Sequence, residues 1–344
     1  MKIVVDQAIP FIHGVFENYA DVVYLPGGAI GPSDVKDADA LITRTRTRCD
    51  QALLDGSSIK IIATATIGYD HIDMDWCRKQ GIHVQNAAGC NAGGVMNYVL
   101  SAVYGAAARA RVNLSGYTAG VIGVGNVGSR VVRGFNLLGI KTLLYDPPRA
   151  EKEGPALFSD LDYLLRNSDI VTLHVPLTPE TINMADAGFF SKMKLGAFFV
   201  NTSRGEVVDE DALLEAVPKM GAVIIDTWRN EPNINRRLLE AATIATPHIA
   251  GYSYQGKLNG TAMAVRAVAR YFSIKDLYEF FPDPAGEPRD AVKLELRDRP
   301  QGQIASILQY NYPIFTDDFI FRMAPENFES IREGYRYRRE FFID

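Results

Sequence analysis

Three stretches of this sequence carry side chains that could do chemistry together. "NTSRGEVVD" places Arg204 just after an apolar run, "IIDTWRNEP" places Asp226 and then Glu231, and "ATPHIAGY" places His248. A histidine beside a carboxylate takes and releases a proton near neutral pH, while the carboxylate orients the ring and stabilises its charged form. Arginine offers a planar, two-pronged donor that matches a carboxylate or phosphate. A fourth stretch, "ALITRTRTRCD", alternates Arg44, Arg46 and Arg48 with Thr45 and Thr47. Alternate residues of a strand share a face, so these guanidinium groups would point one way and could hold an acidic ligand. Each residue alone also reads as structural or solvated. Polar groups recurring at the ends of successive apolar runs favour a shared site.

Those residues need a scaffold, and the sequence supplies one with its own ligand. "GVIGVGNVGSRVVRGF" carries Gly123-x-Gly125-x-x-Gly128 between a strand-like run and a helix-like one. One glycine makes the tight turn, one admits a pyrophosphate to the backbone, and one lets helix and strand pack closely. The helix N-terminus then offers free N–H groups to the anion. Asp146 ends the next strand, where an acid accepts hydrogen bonds from a ribose 2′-hydroxyl and repels a 2′-phosphate, so the expected cofactor is NAD. With NAD present, a His–carboxylate pair and an arginine suit the oxidation of a 2-hydroxy acid. The hydroxyl proton leaves to the base as hydride leaves the carbon.

The surrounding elements fit this reading. "KIVVD", "DVVYL", "DALIT" and "KIIAT" read as strands, with "AIPFIHGVFENY" and "DMDWCRKQG" as helices between them. A long helix follows from about 91 to 109. Then "TAGVIG", "KTLLYD", "DIVTLH", "GAFFVN" and "AVIID" read as buried strands, with "TIATPH" a further candidate. Another helix spans roughly 253 to 271. The expected class is α/β, with two doubly wound parallel-sheet (Rossmann/flavodoxin-like) domains. "FPDPAGEPRD" reads as a linker, followed by a strand "AVKLEL" and helices "GQIASILQY" and "PENFESIREGYRYRREFF". So short a tail seldom holds a core alone and is expected to dock on its own chain or on a second subunit.

The 344 residues carry a net charge of −5, which gives no general attraction to nucleic acid or an anionic membrane. Cys49, Cys77 and Cys90 form no C-x-x-C pair and read as idle thiols in a reducing compartment. No signal peptide, spanning segment or metal-ligand spacing is evident, so a cytoplasmic protein without metal is expected.

"GVGNVG", "NTSRGEVVD", the "EP" after Asp226 and "TPHIAG" resemble the signature segments of the D-2-hydroxyacid dehydrogenase family. The likeness continues through "TATIGYDHID", "GCNAGGV", "KTLLYDPPRA" and "TPHIAGYSYQGKLNGT". It implies Arg204, Glu231 and His248 as the catalytic set, with Arg204 on the substrate carboxylate. It implies nucleotide contacts from Gly123, Gly125, Asn126, Val127, Gly128, Asp146, Val175, Thr202, Ser203, Arg204, Asp226 and Gly251. Substrate contacts fall on Thr45, Thr66 and Tyr252, with Arg44 and Arg46 on a distal phosphate. The implied domains are a discontinuous substrate domain (1–92 and 252–280), an NAD-binding Rossmann domain (93–251) and a small α+β dimerisation domain (281–344) in a homodimer. The implied reaction is oxidation of 4-phospho-D-erythronate to 2-oxo-3-hydroxy-4-phosphobutanoate, a step toward pyridoxal phosphate. Alternatives are another 2-hydroxy acid, such as 3-phosphoglycerate or glyoxylate/hydroxypyruvate, and a non-catalytic NAD-sensing corepressor.

Overall fold

Val and Ile crowd a helical turn but pack well on a pleated surface covered on both sides, and their short runs build two parallel sheets. The computed structural model describes residues 1–283 and 289–344. They form two units, Met1–Asn91 with Tyr254–Asp290 and Ala92–Ser253 with Ala291–Asp344.

The first unit contains strands β1 (Lys2–Asp6), β2 (Asp21–Leu25), β3 (Ala40–Thr43), β4 (Ile61–Thr64) and β5 (His83–Asn86). All pair in parallel, in the order β2-β1-β3-β4-β5. Alternation along the strands serves two cores. Ile3, Val5, Ile42, Ile61 and Ala63 pack with Val265 and Val268 of the helix Tyr254–Tyr271, while Val4, Leu41 and Ile62 pack with Leu53, Leu54 and Cys77. β5 was not among the expected strands. The helix expected over "AIPFIHGVFENY" is a series of turns instead. Its apolar spacing is real, since Ile9, Ile12 and Phe16 are buried, but Phe11 (φ 61°) and Gly14 (φ 82°) are left-handed and interrupt any helix.

The second unit contains β6 (Thr118–Ile122), β7 (Lys141–Tyr145), β8 (Ile170–Leu173), β9 (Phe198–Asn201), β10 (Ala222–Ile225) and β11 (Ile244–Ala245). These are also all parallel, in the order β11-β10-β9-β8-β6-β7. The helix Ala92–Ala110 is buried along most of its length and joins the core formed by Val131, Phe135, Phe198 and Ile224.

The tail docks on its own chain, one of the two outcomes expected of it. Residues 291–344 belong to the second unit. Its own sheet has only two short parallel strands, β12 (Val292–Leu294) and β13 (Phe341–Ile343). Leu294, Leu296, Ile304, Leu308, Phe341 and Ile343 therefore complete the core around the Ala92–Ala110 helix. Asn97 of that helix donates to the Phe341 carbonyl (2.8 Å) and accepts from its N–H (2.9 Å), a double bond set that an amide can make and a carboxylate cannot. The long helix expected at 325–342 is limited to Phe328–Glu333, and a helix at Ile314–Met323 was not foreseen. Part of the expected linker, residues 284–288, lies outside the described residues.

Gly128 binds β6 to the helix that follows it. A Cβ there would lie 1.9 Å from the Gly123 carbonyl oxygen, a backbone atom that cannot rotate away. Gly128→Ala is expected to destabilise the protein by about 1–3 kcal/mol. An unchanged denaturant midpoint would show that this contact is not tight.

Candidate functional site

In the second sheet the strand order reverses between β6 and β8, which is where open α/β sheets hold ligands beyond their carboxyl ends. Gly123 turns the chain after β6 at φ +82°, and a Cβ there would lie 2.6 Å from the His174 carbonyl oxygen. Gly125 and Asn126 are exposed, Val127 is half-buried, and a Cβ on Gly125 would meet no atom within 4 Å. The helix Asn126–Leu137 starts here and presents its first N–H groups without intrahelical partners. This open backbone beside a helix N-terminus fits an NAD pyrophosphate. At the end of β7, the Asp146 carboxylate accepts from Val124 N (2.7 Å) and Arg149 N (3.1 Å), which fixes it beside the glycine turn. Arg149 is paired with Glu153 through two bonds (2.7 and 2.6 Å), so its charge is already matched and does not invite a 2′-phosphate. After β8, Val175 N donates to Ser203 Oγ (3.2 Å), joining two of the expected nucleotide contacts. Thr202 hydrogen-bonds His174 (3.3 Å) behind them.

The catalytic candidates follow β9, β10 and β11. His248 Nδ1 lies 2.8 Å from Glu231 Oε2, so Nδ1–H donates to the carboxylate and Nε2 is the nitrogen left to exchange a proton. Glu231 Oε1 accepts from Trp228 N (2.9 Å). Burial alone would raise the Glu231 pKa. Attraction to His248, their hydrogen bond, the Trp228 N–H and the Arg332 charge outweigh it and hold the carboxyl below its ordinary value. Arg204 is half-buried on the turn after β9, and its Nη1 donates to the Ser203 carbonyl (2.8 Å). Gly205 follows because a Cβ there would lie 1.9 Å from the Trp228 carbonyl carbon. The Arg204 turn and the Glu231 loop thus touch backbone to backbone.

Asp226 has a different part from the expected nucleotide contact. Its carboxylate is buried and accepts from Thr246 Oγ1 (2.6 Å), Ile249 N (2.8 Å) and Ala250 N (3.0 Å), and its carbonyl accepts from His248 N (2.7 Å). Burial raises its pKa, only partly offset by His248 and these donors. His248 itself is left-handed, with φ 57°. Gly251 and Tyr252 continue the segment, with Tyr252 N donating to Ile249 O (2.7 Å).

The remaining substrate candidates lie in the first unit. β3 stops at Thr43, so the arginines do not share a strand face as expected; 44–47 form a turn, because Thr47 is drawn inward to donate to Gly27 O (2.9 Å). Arg44 donates to Ala8 O (2.6 Å), across the point where this sheet's strand order reverses between β1 and β3. Thr45 and Arg46 are exposed, and Arg48 pairs with Asp50 (2.8 Å). Thr66 bonds Thr64 (2.7 Å) and Gly68 O (3.0 Å).

Two residues escaped the sequence reading. Trp228 stands three positions before Glu231, a spacing that signals a carboxylate bonding back to an N–H. His174 is enclosed by Thr172 and Thr202, and no charged neighbour marks it. Among the described residues no group of three His, Cys, Asp or Glu side chains could hold a metal.

Comparison with known proteins agrees with this geometry. Residues 97–250 match the model of the D-isomer specific 2-hydroxyacid dehydrogenase, NAD binding domain. Erythronate-4-phosphate dehydrogenase of Bacteroides fragilis is 44% identical over 99% of this chain and 97% of its own length. The Yersinia enterocolitica enzyme of the same name is 37% identical over 99% and 93%. Among solved structures, D-lactate dehydrogenase of Aquifex aeolicus, with NAD and lactic acid, superposes with a TM-score of 0.66 at 27% identity, over 84% of this chain and all of that one.

Burial holds the His174 pKa down at about 3, against an ordinary 6.5. The unfolded chain binds this proton first, so His174 contributes stability above pH 6.5 that is lost as pH falls toward 3. The denaturant midpoint should drop over that window, and less steeply in His174→Gln. Equal slopes for both proteins would remove His174 as the cause.

Proposed function

The chain belongs to the D-isomer-specific 2-hydroxyacid dehydrogenase family, and from that premise we propose that it oxidises 4-phospho-D-erythronate to 2-oxo-3-hydroxy-4-phosphobutanoate with NAD. The observation that carries this reading is the 2.8 Å pair of His248 and Glu231 beside the dinucleotide cradle. Near-full-length likeness to erythronate-4-phosphate dehydrogenases supports the choice of substrate and a place in vitamin B6 synthesis. NAD held at the Gly123–Gly128 turn and Asp146 would supply the hydride acceptor for C2. His248 Nε2 takes the C2 hydroxyl proton, and Glu231 stabilises the resulting imidazolium. Arg204 is assigned the substrate carboxylate, and Arg44, Thr45 and Arg46 the phosphate; Thr66 and Tyr252 complete the substrate set. Gly123, Gly125, Asn126, Val127, Gly128, Asp146, Val175, Thr202, Ser203 and Gly251 are assigned to the nucleotide. Asp226 acts on it through the backbone it orders.

A homodimer formed through the tail is part of the same reading. Tyr310, on the helix Gln301–Asn311, and Phe319, Ile320 and Met323, together on the helix Ile314–Met323, are 46–88% exposed, and large apolar side chains left in water favour a partner surface. The three buried cysteines, Cys49, Cys77 and Cys90, form no disulfide, which suits the reducing cytoplasm.

Purified protein with NAD and 4-phosphoerythronate, with a 2-oxo acid added to reoxidise bound cofactor, should form the keto acid. His248→Ala should lower kcat by about two orders of magnitude or more. No product from the wild type would end the assignment. Arg44→Ala should raise KM far more for the phosphorylated substrate than for unphosphorylated erythronate, and equal effects would free Arg44 from that role. Sedimentation should give a dimer that Phe319→Asp with Met323→Asp turns into monomer; a wild-type monomer would exclude the interface.

A further inference from the structure

The tail reaches the catalytic segment through more than core packing. Ser253 pairs with Arg338 in a parallel bridge, and Ser253 Oγ donates to Glu340 (2.6 Å). The Tyr252 ring meets Tyr335 and Tyr337, each at 6.2 Å between centroids. Over that ring lies the Arg332 guanidinium, 5.6 Å from the centroid, carried by the helix Phe328–Glu333. Arg332 Nε is buried and has no hydrogen-bond partner among the described residues. A buried, unmatched donor is a cost that simple packing would avoid with an apolar side chain.

We propose that Arg332 is a positioning residue of the active site, holding Tyr252, and with it the turn that carries His248, by its charge over the ring. This rests on the function assigned above. Tyr252 stands four residues after His248, and the intervening turn is closed by Tyr252 N donating to Ile249 O. The charge acts on the pair as well, since it favours the ionised form of Glu231. Asp226, beyond β10, and Arg332, from the tail, both act electrostatically on the pair, alongside Arg204 on the turn after β9. A cation over an aromatic face is attracted by the ring quadrupole, most strongly where water is excluded. Glutamine at this position would keep most of the volume and lose that attraction, whereas lysine would retain it.

The test compares Arg332→Gln and Arg332→Lys in the full-length protein, with 4-phosphoerythronate and NAD. Arg332→Gln should lower kcat about tenfold while the NAD dissociation constant, from calorimetry, stays within twofold; Arg332→Lys should recover most of kcat. Hydrogen exchange in 249–253 should quicken in Arg332→Gln, which reads positioning without any substrate. A kcat within twofold of wild type in Arg332→Gln, a lysine variant no better than glutamine, or unchanged exchange would each overturn the proposal. If the wild type fails to turn over 4-phosphoerythronate, the substrate assignment falls, and the exchange measurement alone decides the place of Arg332.

Discussion

A buried carboxylate, Asp226, organises the backbone on which His248 sits. Removing a carboxylate from water is costly unless its oxygens are matched. Here Thr246, Ile249 and Ala250 supply the donors, all from the segment that contains the histidine. Hydrogen bonds to a charged acceptor contribute about 1.5–3 kcal/mol each. A left-handed residue other than glycine costs about 1–2 kcal/mol, so the bonds to Asp226 outweigh the strain at φ 57° that His248 carries. The strain in turn presents Nδ1 to Glu231.

The same economy of space governs the neighbouring turns. Gly205 abuts the Trp228 backbone, and Trp228 N holds Glu231. The Arg204 turn, the tryptophan and the carboxylate therefore form one connected backbone unit. Trp228 is itself anchored, its indole N–H donating to Thr246 O (2.8 Å). Thr246 accordingly serves both Asp226 and Trp228, so the loops after β10 and β11 are fixed to each other on either side of the catalytic pair.

The tail extends that framework. Its apolar residues fill the core beside the Ala92–Ala110 helix, while Arg338 is paired with buried Asp317 (2.5 Å) and donates to Tyr335 (2.7 Å). A segment too short to fold alone gains its order from this packing, and its aromatic residues are thereby held against Tyr252.

How much of this was legible in the sequence depends on the range of the interactions involved. β-Branched runs, glycine spacing and apolar-then-polar strand ends act over a few residues. They marked most of the parallel strands, though not β5, and the Gly123–Gly128 turn, and brought Arg204, Glu231 and His248 forward as candidates. The turn at Arg44–Thr47 depends on a contact 20 residues away, Thr47 on Gly27, and the helix over Ile9–Phe16 is interrupted where Phe11 and Gly14 turn left-handed. No local pattern records the Thr47 contact, and apolar spacing alone outweighed the glycine in the reading of the helix. The positions of Asp226 and Arg332 were decided in the same way, by the folded chain alone. A carboxylate acquires its partners, and a guanidinium its aromatic face, only when distant segments bury them together and exclude the water that would otherwise satisfy both.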